Sequence, residues 1–334
     1  DSGVNYVDTA YGYHDGLSEV ILGKALRDGY REKVFLADKL PIWLVGDEAG
    51  QQTKFDEQFQ RLGVDLIDMY LVHNLTGPLW KLTKKFNTLD FLEHQKAAGR
   101  IKHIGFSFHD NLSLFKEIID AYDWDFCQIQ LNYMDVAVQA GVEGLKYAAS
   151  KGIQIVIMEP LKGGLLTDAL PGSVAKSLDE ADIKRTPAEW ALRWVADFPE
   201  VLTILSGMSA MAQLDENLKV LSDAQPGSLT RKELDIIGRV AAKYNELLQY
   251  PCTACGYCKP ACPQKIEIPD IMETYNEWFI YANSEKTRAS YKMFIPENRR
   301  ASDCTGCKSC EELCPQSLEI AEMMGKATEI FERY

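Results

Sequence analysis

The sequence predicts an α/β chain: a (β/α)8 barrel lacking its first unit over residues 1–224, a linker and helix over 225–250, and a small cysteine-rich α+β domain over 251–334. Two observations carry this reading. Across residues 1–224, short apolar or β-branched runs alternate with amphipathic stretches of helical period. Eight of the nine cysteines fall at or beyond Cys252, in two runs of identical spacing. A length of 334 residues suits two domains at roughly 100–200 residues each.

Hydrophobic residues make up 46% of the chain and charged residues 25%, which supports a packed core and excludes bulk disorder. The net charge of −13 repels phosphate backbones, so nucleic acid is not an expected partner. No apolar run approaches the ~20 residues of a membrane span, and no basic-then-apolar leader opens the chain. Cysteines gathered at one end are unlike a secreted disulfide framework and point to metal ligation in a reducing cytoplasm.

Taken in order, the expected strands are Tyr6–Thr9, Val34–Asp38, Ile67–Val72, His103–Ser107, Phe126–Gln130, Ile153–Met158 and Val201–Leu205. Helical patterns follow them near 17–28, 48–62, 88–99, 111–121, 139–151, 186–197 and 210–221. Thr186-Pro187-Ala188-Glu189 supplies an N-cap, a proline at the first helical position and an acidic first turn. These are seven units, and a parallel barrel closes well with eight. With Asp1 opening in mid-unit, one unit is expected to be absent from the start. An open doubly wound sheet is the alternative. It is disfavoured because no G-x-G-x-x-G follows a strand and polar residues recur at strand C-terminal ends.

Gln225-Pro226-Gly227-Ser228 reads as a linker, and Thr230 to Leu248 as one amphipathic helix opened by a Thr230/Glu233 capping box. One further helix is expected over 269–283, ahead of a basic loop ending in Arg299-Arg300.

The cysteine runs are Cys252-x2-Cys255-x2-Cys258-x3-Cys262-Pro263 and Cys304-x2-Cys307-x2-Cys310-x3-Cys314-Pro315. This is the spacing of bacterial two-cluster ferredoxins, in which the fourth cysteine of each run ligates the other cluster. Two [4Fe–4S] clusters are expected. One would sit on Cys252, Cys255, Cys258 and Cys314, the other on Cys304, Cys307, Cys310 and Cys262. Paired zinc sites are the competing reading. Cys127 stands apart as a small core residue.

At Asp8-Thr9-Ala10-Tyr11-Gly12-Tyr13 the chain resembles the aldo-keto reductase family, and the resemblance extends over most of residues 1–224. With the ferredoxin-like tail, it narrows to the iron–sulfur branch of that family. The resemblance implies a catalytic tetrad of Asp8, Tyr13, Lys39 and His73, at the ends of three consecutive strands. The chemistry suits these residue types. A tyrosine hydroxyl ordinarily gives up its proton only near pH ~10, and a neighbouring ammonium stabilises the tyrosinate. Asp8 would hold Lys39 charged, and His73 would polarise a carbonyl oxygen. Tyr11 competes with Tyr13 for the acid's role, and the family spacing selects Tyr13.

The resemblance also implies an NAD(H) or NADP(H) site. Ser107 and Gln128 match the carboxamide contacts, while Phe108 replaces an expected Asn. Met158 stands where an aromatic ring would stack. Pro160, Leu161 and Gly163 match the pyrophosphate loop. Ser206, Gly207, Met208 and Ser209 match the phosphate and ribose loop, and Glu216 and Asn217 the adenine pair. Gly207 and Gln213 occupy positions where basic residues would grip a 2′-phosphate, so NADH is as credible a coenzyme as NADPH. Trp43, Trp80, Phe86 and His109 lie on loops that would shape the substrate pocket, the alternatives being aromatic loop packing and, for His109, a surface histidine. Glu159, ending an apolar strand, is either structural or substrate-facing.

The expected activity is reduction of an aldehyde or ketone, with the clusters structural or facing a partner. Two other readings stay open. In one, a ferredoxin or flavoprotein feeds electrons through the clusters to the barrel. In the other, the barrel has drifted and the chain is an electron-transfer subunit. The sequence does not specify an oligomeric state.

Overall fold

The computed structural model describes residues 2–167, 170–252, 256, 258–281, 285–314 and 316–333. Among these, no helix is long and apolar enough to cross a membrane. The chain divides into two compact units that interleave in sequence. The first comprises Asp1–Leu131, Ala140–Pro160 and Val195–Gly227; the second comprises Asn132–Gln139, Leu161–Trp194 and Ser228–Tyr334.

The first unit holds seven strands: β1 (Tyr6–Asp8), β2 (Phe35–Leu40), β3 (Ile67–Leu75), β4 (Ile101–Phe108), β5 (Phe126–Gln130), β6 (Gln154–Met158) and β7 (Val201–Ile204). They pair in parallel in the order of the sequence. Each expected strand is present, with ends displaced by three residues at most. Ala37, Met69, Leu71, Phe126 and Val156 meet in one buried cluster, with Tyr6 and Leu205 packed against it. Residues from strands this far apart in the sheet order touch only if the sheet curls round on itself. The result is a nearly closed barrel.

Alternation along each strand then decides what the barrel's interior holds. Counting by twos from the clustered residues gives Ala37 and Lys39 on β2, then Met69, Leu71 and His73 on β3. The same count gives Phe126 and Gln128 on β5, and Val156 and Met158 on β6. Inward residues are apolar low in the barrel and turn polar or polarisable toward the strand C-termini. Gly105 on β4 lies beside Phe126 in register, and a Cβ there would fall 2.6 Å from the Phe126 ring. Only glycine leaves room for that ring in the interior.

Helix signals work as the residues require. The helix Glu48–Leu62 spans the expected range, with the Asp47 carboxylate accepting from Gly50 N–H and Gly63 ending it at φ 65°. Thr186 Oγ1 accepts from Glu189 N–H at 3.0 Å. The capping box at Thr230 and Glu233 opens the helix Arg231–Asn245. The expected helix 269–283 is present as Ile268–Ile280, and a further helix, Glu285–Phe294, forms where a basic loop was expected.

The second unit is helical in its described regular elements and has two apolar cores. One gathers Tyr133, Leu166, Trp190, Ile236, Val240 and Tyr244. The other gathers Ile266, Ile271, Met272, Tyr291, Met323 and Phe331 around Cys258 and Cys310, with Cys252, Cys262, Cys304 and Cys314 packed against it.

Candidate active site

The polar end of the barrel brings Asp8, Tyr13, Lys39 and His73 together. Lys39 is fully buried, and its Nζ donates to Asp8 Oδ1 at 2.5 Å and to the Thr9 carbonyl at 2.7 Å. A lone buried ammonium would be costly. Burial alone would lower the Lys39 pKa, but Asp8, Tyr13 and Asp38 outweigh it and the lysine stays charged. Its Nζ lies 4.8 Å from the Tyr13 ring centroid. Tyr13 opens the short segment Tyr13–Gly16, where left-handed backbone at His14 and Asp15 turns the chain sharply. Its ring meets the His73 ring edge-on, with centroids 5.9 Å apart. Tyr13 is 40% exposed, so it bridges buried lysine and solvent.

His73 is held well below the usual histidine pKa by burial, then by the charges of Lys39 and His109. It is therefore a neutral imidazole at pH 7. Its Nδ1 is buried without a hydrogen-bond partner. The Trp43 ring lies 5.0 Å from it, centroid to centroid.

Tyr11 is committed elsewhere. Its hydroxyl donates to Glu57 at 2.7 Å, and Arg61 stacks 4.0 Å from its ring centroid. Lys39 is also clamped from behind by a residue the sequence did not single out. Gln58 Nε2 donates to the Lys39 carbonyl at 3.0 Å, while Gln58 Oε1 accepts from Tyr70 at 2.6 Å. Its one sequence signal is a place, three residues after Phe55, on the buried stripe of its helix.

Of the expected coenzyme contacts, Ser107 and Gln128 are buried at the upper interior of β4 and β5. Ser107 Oγ accepts from Asn74 N–H at 2.7 Å. Gln128 Nε2 reaches Met158 Sδ at 3.4 Å, and Gln128 Oε1 is buried with no hydrogen-bond partner. That orphaned acceptor fits a ligand carrying an amide N–H. Pro160 is buried beyond β6, and Glu159 before it is exposed with a left-handed backbone, φ 54°. After β7, Asn217 Nδ2 donates to Ser206 Oγ at 3.0 Å and approaches Met208 Sδ at 3.2 Å. Asn217 is thus turned into its own loop, while Glu216 is half-buried beside it. Gln213 Oε1 accepts from Ser209 N–H at 2.9 Å and Ala210 N–H at 3.2 Å. Gly207 is exposed between them. Leu161 and Gly163 lie in the second unit.

In the second unit, Cys262, Cys304, Cys307 and Cys310 line one small hollow, walled by Ile266, Ile320 and Met324. Among the described residues, no group of three or more His, Cys, Asp or Glu converges on a single metal ion. Burial pushes the Cys310 thiol up to about 11, with Glu311, Cys262 and Cys304 adding to the effect. Several thiolates gathered against apolar walls need a compensating positive charge, which the irons of a cluster would supply. The donor set therefore fits an iron–sulfur group. Cys255 lies outside the described residues.

Comparison with known proteins agrees with this geometry. A model of the aldo/keto reductase family matches residues 1–237, and a model of a 4Fe-4S dicluster domain matches residues 249–318. An NADH-specific methylglyoxal reductase of Escherichia coli is 30% identical over 262 residues, covering 66% of this chain and 79% of that protein. An aldo-keto reductase from Bacillus halodurans, in its holo form, superposes with a TM-score of 0.60 at 27% identity, over 72% of this chain and 82% of that one. An aldo/keto reductase from Klebsiella pneumoniae, solved with NADP and acetate, gives 0.57 at 26% identity over 72% of this chain and 81% of that one. The chain belongs to the aldo/keto reductase family and carries a 4Fe-4S dicluster domain C-terminal to the reductase segment.

Proposed function

We propose that the chain reduces an aldehyde or ketone at the expense of NADH or NADPH, with Tyr13 as proton donor. The observation that carries this reading is the fully buried Lys39, held by Asp8 at 2.5 Å with its ammonium 4.8 Å from the Tyr13 ring centroid. A bound nicotinamide would supply the hydride, and its carboxamide suits the unpaired acceptor of Gln128. The chain's own residues manage the proton. As negative charge grows on the substrate oxygen, the Tyr13 hydroxyl donates to it, and the Lys39 ammonium stabilises the tyrosinate left behind. Asp8 keeps that ammonium charged and aimed. His73, as a neutral imidazole, donates a hydrogen bond to the same oxygen and fixes its position without competing as an acid. Trp43 would cover the substrate beside His73.

The closed arrangement of Gln213 on Ser209 and Ala210 favours NADH. Two N–H groups that could meet a phosphate already have an acceptor, and no cation stands at Gly207 or Gln213. A relative that is NADH-specific points the same way.

In this reading two [4Fe–4S] clusters occupy the cysteine runs, with Cys252, Cys255, Cys258 and Cys314 on one and Cys304, Cys307, Cys310 and Cys262 on the other. A second reading, electron delivery from a ferredoxin or flavoprotein partner, is favoured by one observation. Cys307 is exposed, so the group it would hold reaches the surface.

The test is Tyr13→Phe. Carbonyl reduction should fall roughly 100-fold or more, as expected for loss of a general acid, while iron content and NADH binding stay at wild-type levels. Full activity in that variant overturns the assignment.

A further inference from the structure

We propose that Lys162 fastens the glycine loop Leu161–Gly164 to the helix Ile268–Ile280 through Glu273, so that the cysteine-lined segment sets how tightly the chain holds its nicotinamide nucleotide. The proposal rests on the reading of this loop as the one that covers the pyrophosphate.

Three consecutive residues of the loop have left-handed backbone: Lys162 at φ 47°, Gly163 at 63° and Gly164 at 90°. Glycine adopts this region freely. A lysine does so only against the steric clash of its Cβ, and something must hold it there. Lys162 Nζ lies 3.0 Å from Asp135 Oδ2 and 2.8 Å from Glu273 Oε1, with its side chain only 13% exposed. Asp135 is fixed in turn by Asn132 Nδ2 at 2.9 Å. The carbonyl of Gly163 accepts from Lys286 Nζ at 3.3 Å. The loop is thus held at two points by residues more than a hundred positions later in the chain.

The helix that carries Glu273 is committed on another side. Its Ile268, Ile271, Met272 and Tyr275 belong to the apolar core that contains Cys258 and Cys310. One rigid element therefore touches the cysteines' core and the loop's only lysine. Charge decides what that lysine does. One ammonium already faces two carboxylates at about 3 Å, so the local balance is negative and a pyrophosphate gains little from approaching it. Lys162 acts as an anchor, a positioning residue, and not as a phosphate ligand. If the nucleotide binds only the held conformation, releasing the anchor lowers affinity in proportion to the fraction of molecules that keep that conformation.

The experiment compares the iron-loaded wild type with Glu273→Gln, which keeps the side chain's shape and removes its charge. Three quantities are read: iron content, hydrogen exchange across residues 161–167, and NADH affinity by nicotinamide fluorescence. The expected result is unchanged iron, faster exchange in the loop, and an NADH Kd raised roughly fivefold or more. Glu273→Asp, with its charge kept and its reach shortened, should fall between the two. Unchanged exchange and affinity overturn the proposal. A tighter Kd also overturns it, because a freed Lys162 would then be gripping phosphate itself. Failure of the wild type to bind NADH would refute the nucleotide reading, whereas the exchange comparison would still decide whether Glu273 anchors the loop.

Discussion

At the scale of single residues, the first unit spends its buried charges in two ways. Lys39 and Asp8 pair at the polar end of the barrel, where the proposed mechanism uses them. Asp68 serves stability. Its side chain is 4% exposed and accepts from Arg31 at 2.6 Å, Lys102 at 2.7 Å and the Leu36 N–H at 3.0 Å. Burial would raise its pKa, but hydrogen bonds from Lys102, Leu36 and Arg31 overcome that and hold the carboxyl below the usual range. A carboxylate depressed in the folded state stabilises it fully above the unfolded value of ~3.9 and loses that contribution as pH falls through the folded value. Asp68→Asn should therefore cost about 1–2 kcal/mol at pH 7. The difference from wild type should hold down to about pH 5 and close below about pH 4. Urea unfolding at a series of pH values checks this, and a gap that widened in acid would contradict it.

Secondary-structure elements show where the sequence was legible. The strands were, because β-branched runs end in polar residues that the barrel gathers at one rim. Asp8, Lys39 and His73 were picked out by the family resemblance, each at or near the end of one of these strands. Gly77–Lys85 and Gly172–Asp179 were missed as helices. Gly-Pro and Pro-Gly pairs ordinarily mark turns, whereas here Pro78 sits in the first turn of its helix and Pro171 just before its own, where a missing N–H costs nothing. Gln58 and the pairing of Lys162 with Glu273 were also illegible, since the first is one polar residue on a buried stripe and the second spans 111 positions. Helix packing gives a sharper expectation at Gly23, within the helix Ser18–Ala25. A Cβ there would lie 2.2 Å from the Leu62 carbonyl oxygen, at the end of the helix Glu48–Leu62. Alanine ordinarily gains roughly 1 kcal/mol over glycine in a helix. Here, overpacking should cost about 1–3 kcal/mol and reverse the sign. Gly23→Ala should lower the denaturation midpoint; a raised midpoint would show that the two helices can separate freely.

For the whole molecule, the cysteines tie cofactor and fold together in one unit and not in the other. Those of the second unit lie in or against its apolar core, whereas the first unit contains only Cys127, fully buried among β-strands. Removing iron should therefore unfold or loosen the second unit selectively. Calorimetry before and after treatment with an iron chelator should show one transition lost or lowered and the strand unit's transition retained. If neither moved, the cysteines would hold no metal that matters to folding.

The order of the sheet has a consequence in time. Every strand from β1 to β7 is bonded to its immediate neighbours in the sequence. A chain leaving the ribosome at roughly 5–20 residues per second then offers each new strand a partner that has already emerged. The sheet can grow edge by edge as it is synthesised, without waiting for a distant segment. The second unit cannot, because its helices need loops from the middle of the chain and cysteines from its end. All seven strands are thus synthesised before the segment Ser228–Tyr334, which carries the two cysteine runs, has emerged.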